Sequence, residues 1–200
     1  MKIAIDLNDV IRDYTNNFIK EYLLNYNREY NTEELSIWTN DMESVLPFKT
    51  QRAYQKFVYE DYAYELYGKC DTCGRKLTME LNEWLLNLHD LDIDENIDTM
   101  IVSPMEFGPT IAYTYFFLSK LNCNLREVYL PVDSTTIWDK CDILITANPN
   151  LIKNCPEDKT VVKIDFEYNK DIDTKYHFRD LPALMKDENN ILKIIKNEEI

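Results

Sequence analysis

Glycine is nearly missing from this chain. Only Gly68, Gly74 and Gly108 occur, where a protein of this length ordinarily carries about fourteen. None opens a G-x-x-x-x-G-K-[ST] or G-x-G-x-x-G turn, so the usual glycine-built nucleotide cradles are excluded. Positive charge is scarce as well: 22 Lys and Arg stand against 36 Asp and Glu, a net −14 at pH 7. Proteins bind nucleic-acid polymers by replacing counterions with Lys and Arg, so this balance excludes such a polymer as partner. It also repels phosphorylated substrates at long range, although a local site can override the global field. No apolar run approaches the ~20 residues of a spanning helix, which excludes the membrane as a partner. The N-terminus runs straight into an apparent strand, without the charged, apolar and small-residue segments of a secretory signal. Five cysteines, an odd number, fit reduced thiols better than a disulfide framework, and the expected location is the cytoplasm.

What is present is the material of a globular core, 45% apolar and 12% aromatic. Abundant Asn, Lys, Ile and Tyr match the residue usage of an AT-rich genome, bacterial or phage; a phage origin would make the virion a second location. The run at 2–6, KIAID, predicts a short buried strand. Apolar residues from Ile11 to Tyr30 then recur three or four apart, which predicts an amphipathic helix over 11–30. Residues 31–50 are irregular, with Trp38, Pro47 and Phe48 as packing points, and 53–67 returns to helical spacing. Another helix carries Leu77, Leu81, Trp84, Leu85 and Leu88 on one face. Beyond it the β-rich runs 99–103, 126–130, 142–146 and 160–165 predict four more strands. A helix from Pro109 to Leu121 separates the first two of these, with proline in the first turn, where it is tolerated. A last helix is expected over 181–195.

Strands alternating with helices imply an α/β fold: a Rossmannoid parallel sheet with helices on both faces. Right-handed crossovers bring the strand C-termini to one side, where such sheets bind ligands. Asp6, Ser103, Pro131 and Thr146 stand at those ends. The chain reads as a single domain over 1–200, with 31–75 as a small helical cap inserted after the first strand.

The stretches IAIDLNDV, MIVSP and DILITANPNL occur in an order and spacing that resemble the haloacid dehalogenase (HAD) superfamily. The Ser-Pro pair, the insertion length and the segment around Trp38 are most similar to its 5'(3')-deoxyribonucleotidase branch. That resemblance covers nearly the whole chain and implies a phosphomonoester hydrolase. In such an enzyme an aspartate attacks phosphorus, forming an aspartyl-phosphate. A second acid two residues on donates and accepts protons, while magnesium and a lysine offset the charge.

Carried over residue by residue, the resemblance makes Asp6 the nucleophile and Ser103, followed by Pro104, the phosphate-binding hydroxyl. Asn8 stands where the acid belongs; its amide cannot shuttle a proton, a loss of ~10²–10⁴ in rate. Thr146 and Ala147 replace the acidic pair that completes the magnesium site. Asp6 and Asn8 are left as metal ligands, with Asn148 or Asp9 as improvised help. The lysine position falls near Thr136, and Lys140 abuts the wrong end of a strand. Acid, lysine and acidic pair have changed together. The resulting expectation is a degenerate HAD fold that works by binding, as an adaptor or phospho-ligand receptor. Its alternative is a weak magnesium-dependent 5'-nucleotidase acting through Asp6.

Three smaller features complete the reading. Cys70 and Cys73 have C-x-x-C spacing, but no second pair completes a zinc site, and free thiols in a turn are expected. His89, at a helix end, and His177, in a polar stretch, read as structural or solvated. Tyr54, Tyr59, Tyr62, Tyr64 and Tyr67 exceed what one buried face needs, so some of these rings are expected at a protein-binding surface.

Overall fold

The computed structural model describes residues 1–29, 42–74, 77–89, 96–104, 106, 108–122 and 126–199. Six strands form one sheet: β1 (Lys2–Asp6), β2 (Asp98–Val102), β3 (Val128–Tyr129), β4 (Ile143–Thr146), β5 (Thr160–Ile164) and β6 (Tyr176–Phe178). Their order is β3-β2-β1-β4-β5-β6, and every neighbouring pair is parallel. This is a Rossmann-like α/β fold. The strands are Ile- and Val-rich because both faces of the sheet are covered, leaving no solvent side for alternate polar residues. Ile3, Ile5, Ile101, Ile143 and Ile145 point into one apolar cluster. Ala4, Met100, Val102 and Leu144, one residue out of step, point into another.

Strand β6 lies in the stretch read as merely polar. Only Tyr176 of its three residues is buried, so an edge strand this short carries no alternation to detect. The other five strands form where the β-rich runs predicted them.

Eight α-helices flank the sheet among the described residues: α1 (Tyr14–Asn25), α2 (Met42–Val45), α3 (Gln51–Lys56), α4 (Leu77–His89), α5 (Pro109–Leu121), α6 (Pro149–Lys153), α7 (Leu181–Met185) and α8 (Glu188–Ile195). None is long and apolar enough to cross a membrane. Leu77, Leu81, Trp84, Leu85 and Leu88 of α4 are all buried under the sheet, as their spacing required. The opposite face is covered by α6 and a 3-10 turn, Ser134–Ile137.

Helix α1 begins three residues later than predicted. Asp13, at φ −74° and ψ 65°, is not helical, and Arg12 before it forms isolated bridges with Asn8 and Thr72. Leu7 O instead accepts from the amides of both Ile11 and Arg12, closing a single wide turn. The predicted 181–195 helix is two, because the Asp187 side chain accepts from Asn189 N and starts a fresh helix there. Both halves contribute to the main cluster through Leu181, Leu184, Ile191 and Ile194. Tyr30, Trp38 and the 31–41 part of the predicted cap lie outside the described residues. The described part runs through α2, α3 and two π-helical turns, Phe57–Asp61 and Tyr64–Gly68. It closes an aromatic core on α1, built around Phe18, Tyr22, Phe57 and Tyr67.

Candidate functional site

From β1 the chain builds outward to β2 and β3 on one side, and β4 to β6 extend on the other. The strand order therefore reverses at the β1–β4 junction, where a doubly wound sheet leaves a crevice beyond its strand C-termini. Asp6 ends β1, Thr146 ends β4, and Thr146 Oγ1 donates to Asp6 Oδ2 at 2.6 Å across that junction.

Asp6 is 2% exposed, and its Oδ1 has no hydrogen-bond partner. Burial pushes its carboxyl up to about 7; the Thr146 bond and, more weakly, the nearby Leu7 and Asn8 backbone amides oppose this, and Asp9 adds to it. Asp9 is also buried and also raised, chiefly by desolvation. Its Oδ1 accepts from Thr15 N, and its Oδ2 from Thr15 Oγ1 at 2.6 Å and Tyr168 OH at 2.7 Å. Asp9 thus caps the first turn of α1, a task that the Asp13 side chain does not perform.

Asn8 answers to Arg12. That guanidinium is fully buried, and its five N–H groups make five bonds. Nε and Nη2 donate to Asn8 Oδ1 at 2.9 and 2.6 Å, Nη2 to Glu106 Oε1 at 2.6 Å, and Nη1 to Thr114 Oγ1 and Tyr67 O. Because a guanidinium only donates, the Asn8 amide has one permitted orientation, with Nδ2 turned away from Arg12. The same ion pair holds the predicted phosphate-binding hydroxyl. Ser103 is fully buried, and its Oγ donates to Glu106 Oε1 at 2.9 Å.

Restoring the acid at position 8 should therefore fail to restore a proton shuttle. In Asn8→Asp the carboxylate would take up the two Arg12 bonds, and a carboxylate so paired keeps its charged form. Phosphate release by this variant, assayed with magnesium, should stay at the Asp6→Asn background. A rise approaching the ~10²-fold typical of general acid–base help would show that Arg12 lets the acid go.

The other predicted positions are equally committed. Ala147 is fully buried, and its carbonyl accepts from Asn169 Nδ2. Asn148 Oδ1 caps α6, accepting from Asn150 N and Leu151 N, which leaves its Nδ2 for the crevice. Thr136 bonds Tyr129 OH at 2.9 Å, and Lys140 is exposed. The nearest strand lysine, Lys163, is turned to Asp165 and Ile172 O.

Magnesium is usually held by one or two protein carboxylates, with waters and substrate oxygens completing the octahedron. Here Asp6 Oδ1 alone is unpartnered, while the oxygens of Asp9 and Asn8 are engaged. Among the described residues no group of three or more His, Cys, Asp or Glu is arranged to hold a metal. The residues present do not fit the magnesium site that the HAD resemblance implies.

A cavity of about 90 Å³ opens beside Asp6. Asp6, Asn8, Asp9, Pro104 and Asn148 line it together with five tyrosines, Tyr14, Tyr54, Tyr59, Tyr67 and Tyr168. Sequence spacing thus placed Asp6, Asn8 and Pro104 together, with Ser103 and Thr146 just behind. It missed Arg12, Glu106, Thr114 and Tyr168, which fix the polar groups. A lone arginine among the apolar and acidic residues of 6–14 was the one available signal.

Three of the clustered tyrosines, then, face this cavity. Tyr62 packs on Phe57 and Tyr64 on Tyr113 and Phe116. Tyr64, at 39% exposure beside Phe116, is the ring of this cluster left most outside. Cys70 and Cys73 are free thiols on a segment tied to the site loop by backbone bonds, Asp13 N to Asp71 O and Cys73 N to Ile11 O. Burial pushes the Cys70 thiol up to about 12 and raises Cys73 as well, so both stay protonated. The His177 ring is exposed beside Asp165, and the His89 side chain lies outside the described residues. Neither a family model nor a curated protein matches this chain.

Proposed function

We propose that this protein carries a HAD-like fold whose catalytic apparatus has been converted to binding, with the crevice beside Asp6 as the ligand site. One observation carries the reading: the polar groups at the positions of acid and phosphate-binding hydroxyl serve a buried ion pair. Asn8 Oδ1 is spent on Arg12, and Ser103 Oγ on Glu106. No Lys or Arg contributes to the described cavity wall, so nothing there offsets the repulsion between carboxylate and phosphate. An adaptor form of the same reading places a protein partner on the 54–67 segment, at Tyr64.

The unpartnered Asp6 Oδ1 favours a second reading, a weak phosphomonoester hydrolase with Asp6 as nucleophile. One assay separates them. Phosphate release from nucleoside monophosphates and aryl phosphates is measured with magnesium, manganese or EDTA, beside the Asp6→Asn protein. Turnover should be the same low background in both proteins. Metal-dependent turnover that disappears in Asp6→Asn would establish the hydrolase instead.

A further inference from the structure

We infer that the cavity at the β1–β4 junction binds a small protonated amine, its ammonium group received at Asp6 among the tyrosine rings. This rests on the reading above, that the site binds and does not hydrolyse.

The charge inventory of the wall selects the ligand's sign. Two carboxylates, Asp6 and Asp9, line the cavity, and no cationic side chain among the described residues does. Arg12, behind Asn8, is consumed by its five bonds, one of them to Glu106. An anion would meet two acids with no compensating charge. Above about pH 7, where Asp6 is ionised, a neutral guest would leave a buried carboxylate uncompensated, which is costly. A cation removes that cost.

The hydrogen-bond inventory selects the contact atom. Asp9 already accepts three bonds. Asp6 Oδ2 is held by Thr146, which is not part of the wall. Asp6 Oδ1, on a side chain 2% exposed that lines the cavity, is the acceptor left over. An ammonium group supplies donors and has no acceptor, so it complements that atom.

Walls and volume select the class. Tyrosines make up five of the ten lining residues, and aromatic faces attract a cation within about 6 Å of the ring centroid. A space of about 90 Å³ matches an alkylamine of a few heavy atoms and is too small to enclose a nucleotide. The guanidinium of Arg12 already shows the preference of these rings: it lies 5.0 Å from the Tyr67 centroid and 5.7 Å from that of Tyr14.

The test is a titration of ¹⁵N-labelled full-length protein with n-propylammonium chloride, followed by amide NMR. n-Propanol, sodium acetate and inorganic phosphate are run at matched ionic strength. Saturable shifts of the 6–15 and 146–148 amides are expected for the amine, with affinity at least tenfold above propanol. Asp6→Asn, checked for folding by its melting curve, should weaken the amine at least tenfold and leave propanol unchanged. Equal weak shifts for amine and propanol, or an Asp6→Asn protein that binds the amine as tightly as before, overturn the amine assignment alone. Saturable phosphate binding at these amides also overturns the amine assignment, whereas metal-dependent phosphate release overturns the binding-only reading beneath it.

Discussion

Arg12→Ala should cost about 3–5 kcal/mol of folding stability, the range for breaking a buried pair by removing one partner. The reason lies less in the lost bonds than in what remains. Glu106 is 1% exposed and would be left with Ser103 and Thr114 as its remaining partners. Asn8 Oδ1 and Tyr67 O would lose their donors in the same step. For a chain of this size the melting temperature should fall by about 2–4 °C per kcal/mol, so a drop on the order of 10 °C is expected. Should the variant not fold, Arg12→Met combined with Glu106→Gln keeps the question open to experiment. Removing both charges of a buried pair is commonly near neutral, so the double variant should regain most of the stability in urea denaturation. A double variant no better than Arg12→Met alone would mean that Glu106 is not the liability described.

The second large effect runs the other way. Asp6→Asn should make the protein more stable at pH 8. Asp6 is raised in the folded state, from 3.8 to about 7. Below about pH 4 both folded and unfolded chains hold its proton, and the group contributes nothing to pH dependence. Between these values the folded protein keeps a proton that the unfolded chain gives up, so stability falls as pH rises. Above pH 7 the penalty is complete, up to about 4 kcal/mol at 1.36 kcal/mol per pH unit. Asparagine carries no such charge and can still accept from Thr146. Asp9 is raised in the same direction and is common to both proteins, so their difference reports Asp6 together with its repulsion from Asp9. Thermal melts should separate the two by several degrees at pH 8 and converge towards pH 4. A variant less stable than the parent at pH 8 would show that the ionised Asp6 is supported by the fold.

The two halves of this molecule were unequally legible in its sequence. Strands β1, β2, β4 and β5 announce themselves because runs such as ILIT and TVVKI are buried on both sides and tolerate little else. Helix α5 declares its start with Pro109. The beginning of α1 was hidden, since Ile11 fits helical spacing and only the backbone at Arg12 and Asp13 breaks it. At the site, position along a strand told where Asp6, Ser103 and Thr146 would stand. It could not tell what each would hold. Glu106 lies 94 residues from Arg12, and no local pattern links the two. Asn8 therefore looked like a lost acid, when in the folded chain it is one of the acceptors that a buried guanidinium requires.

The central place of β1 also has a consequence for synthesis. Its neighbours are β2, which begins at Asp98, and β4, which ends at Thr146. Strand β1 must therefore wait for β4 to be translated before both its edges are paired. At about 5–20 residues per second, that is a delay on the order of ten seconds. During that interval Ile3 and Ile5, destined for the main apolar cluster, leave the ribosome without the partners that will cover them. For that interval β1 is an apolar strand with unpaired edges, open to pairing with other chains, and the yield in a cell should depend on chaperone capacity as well as on the stability of the finished sheet.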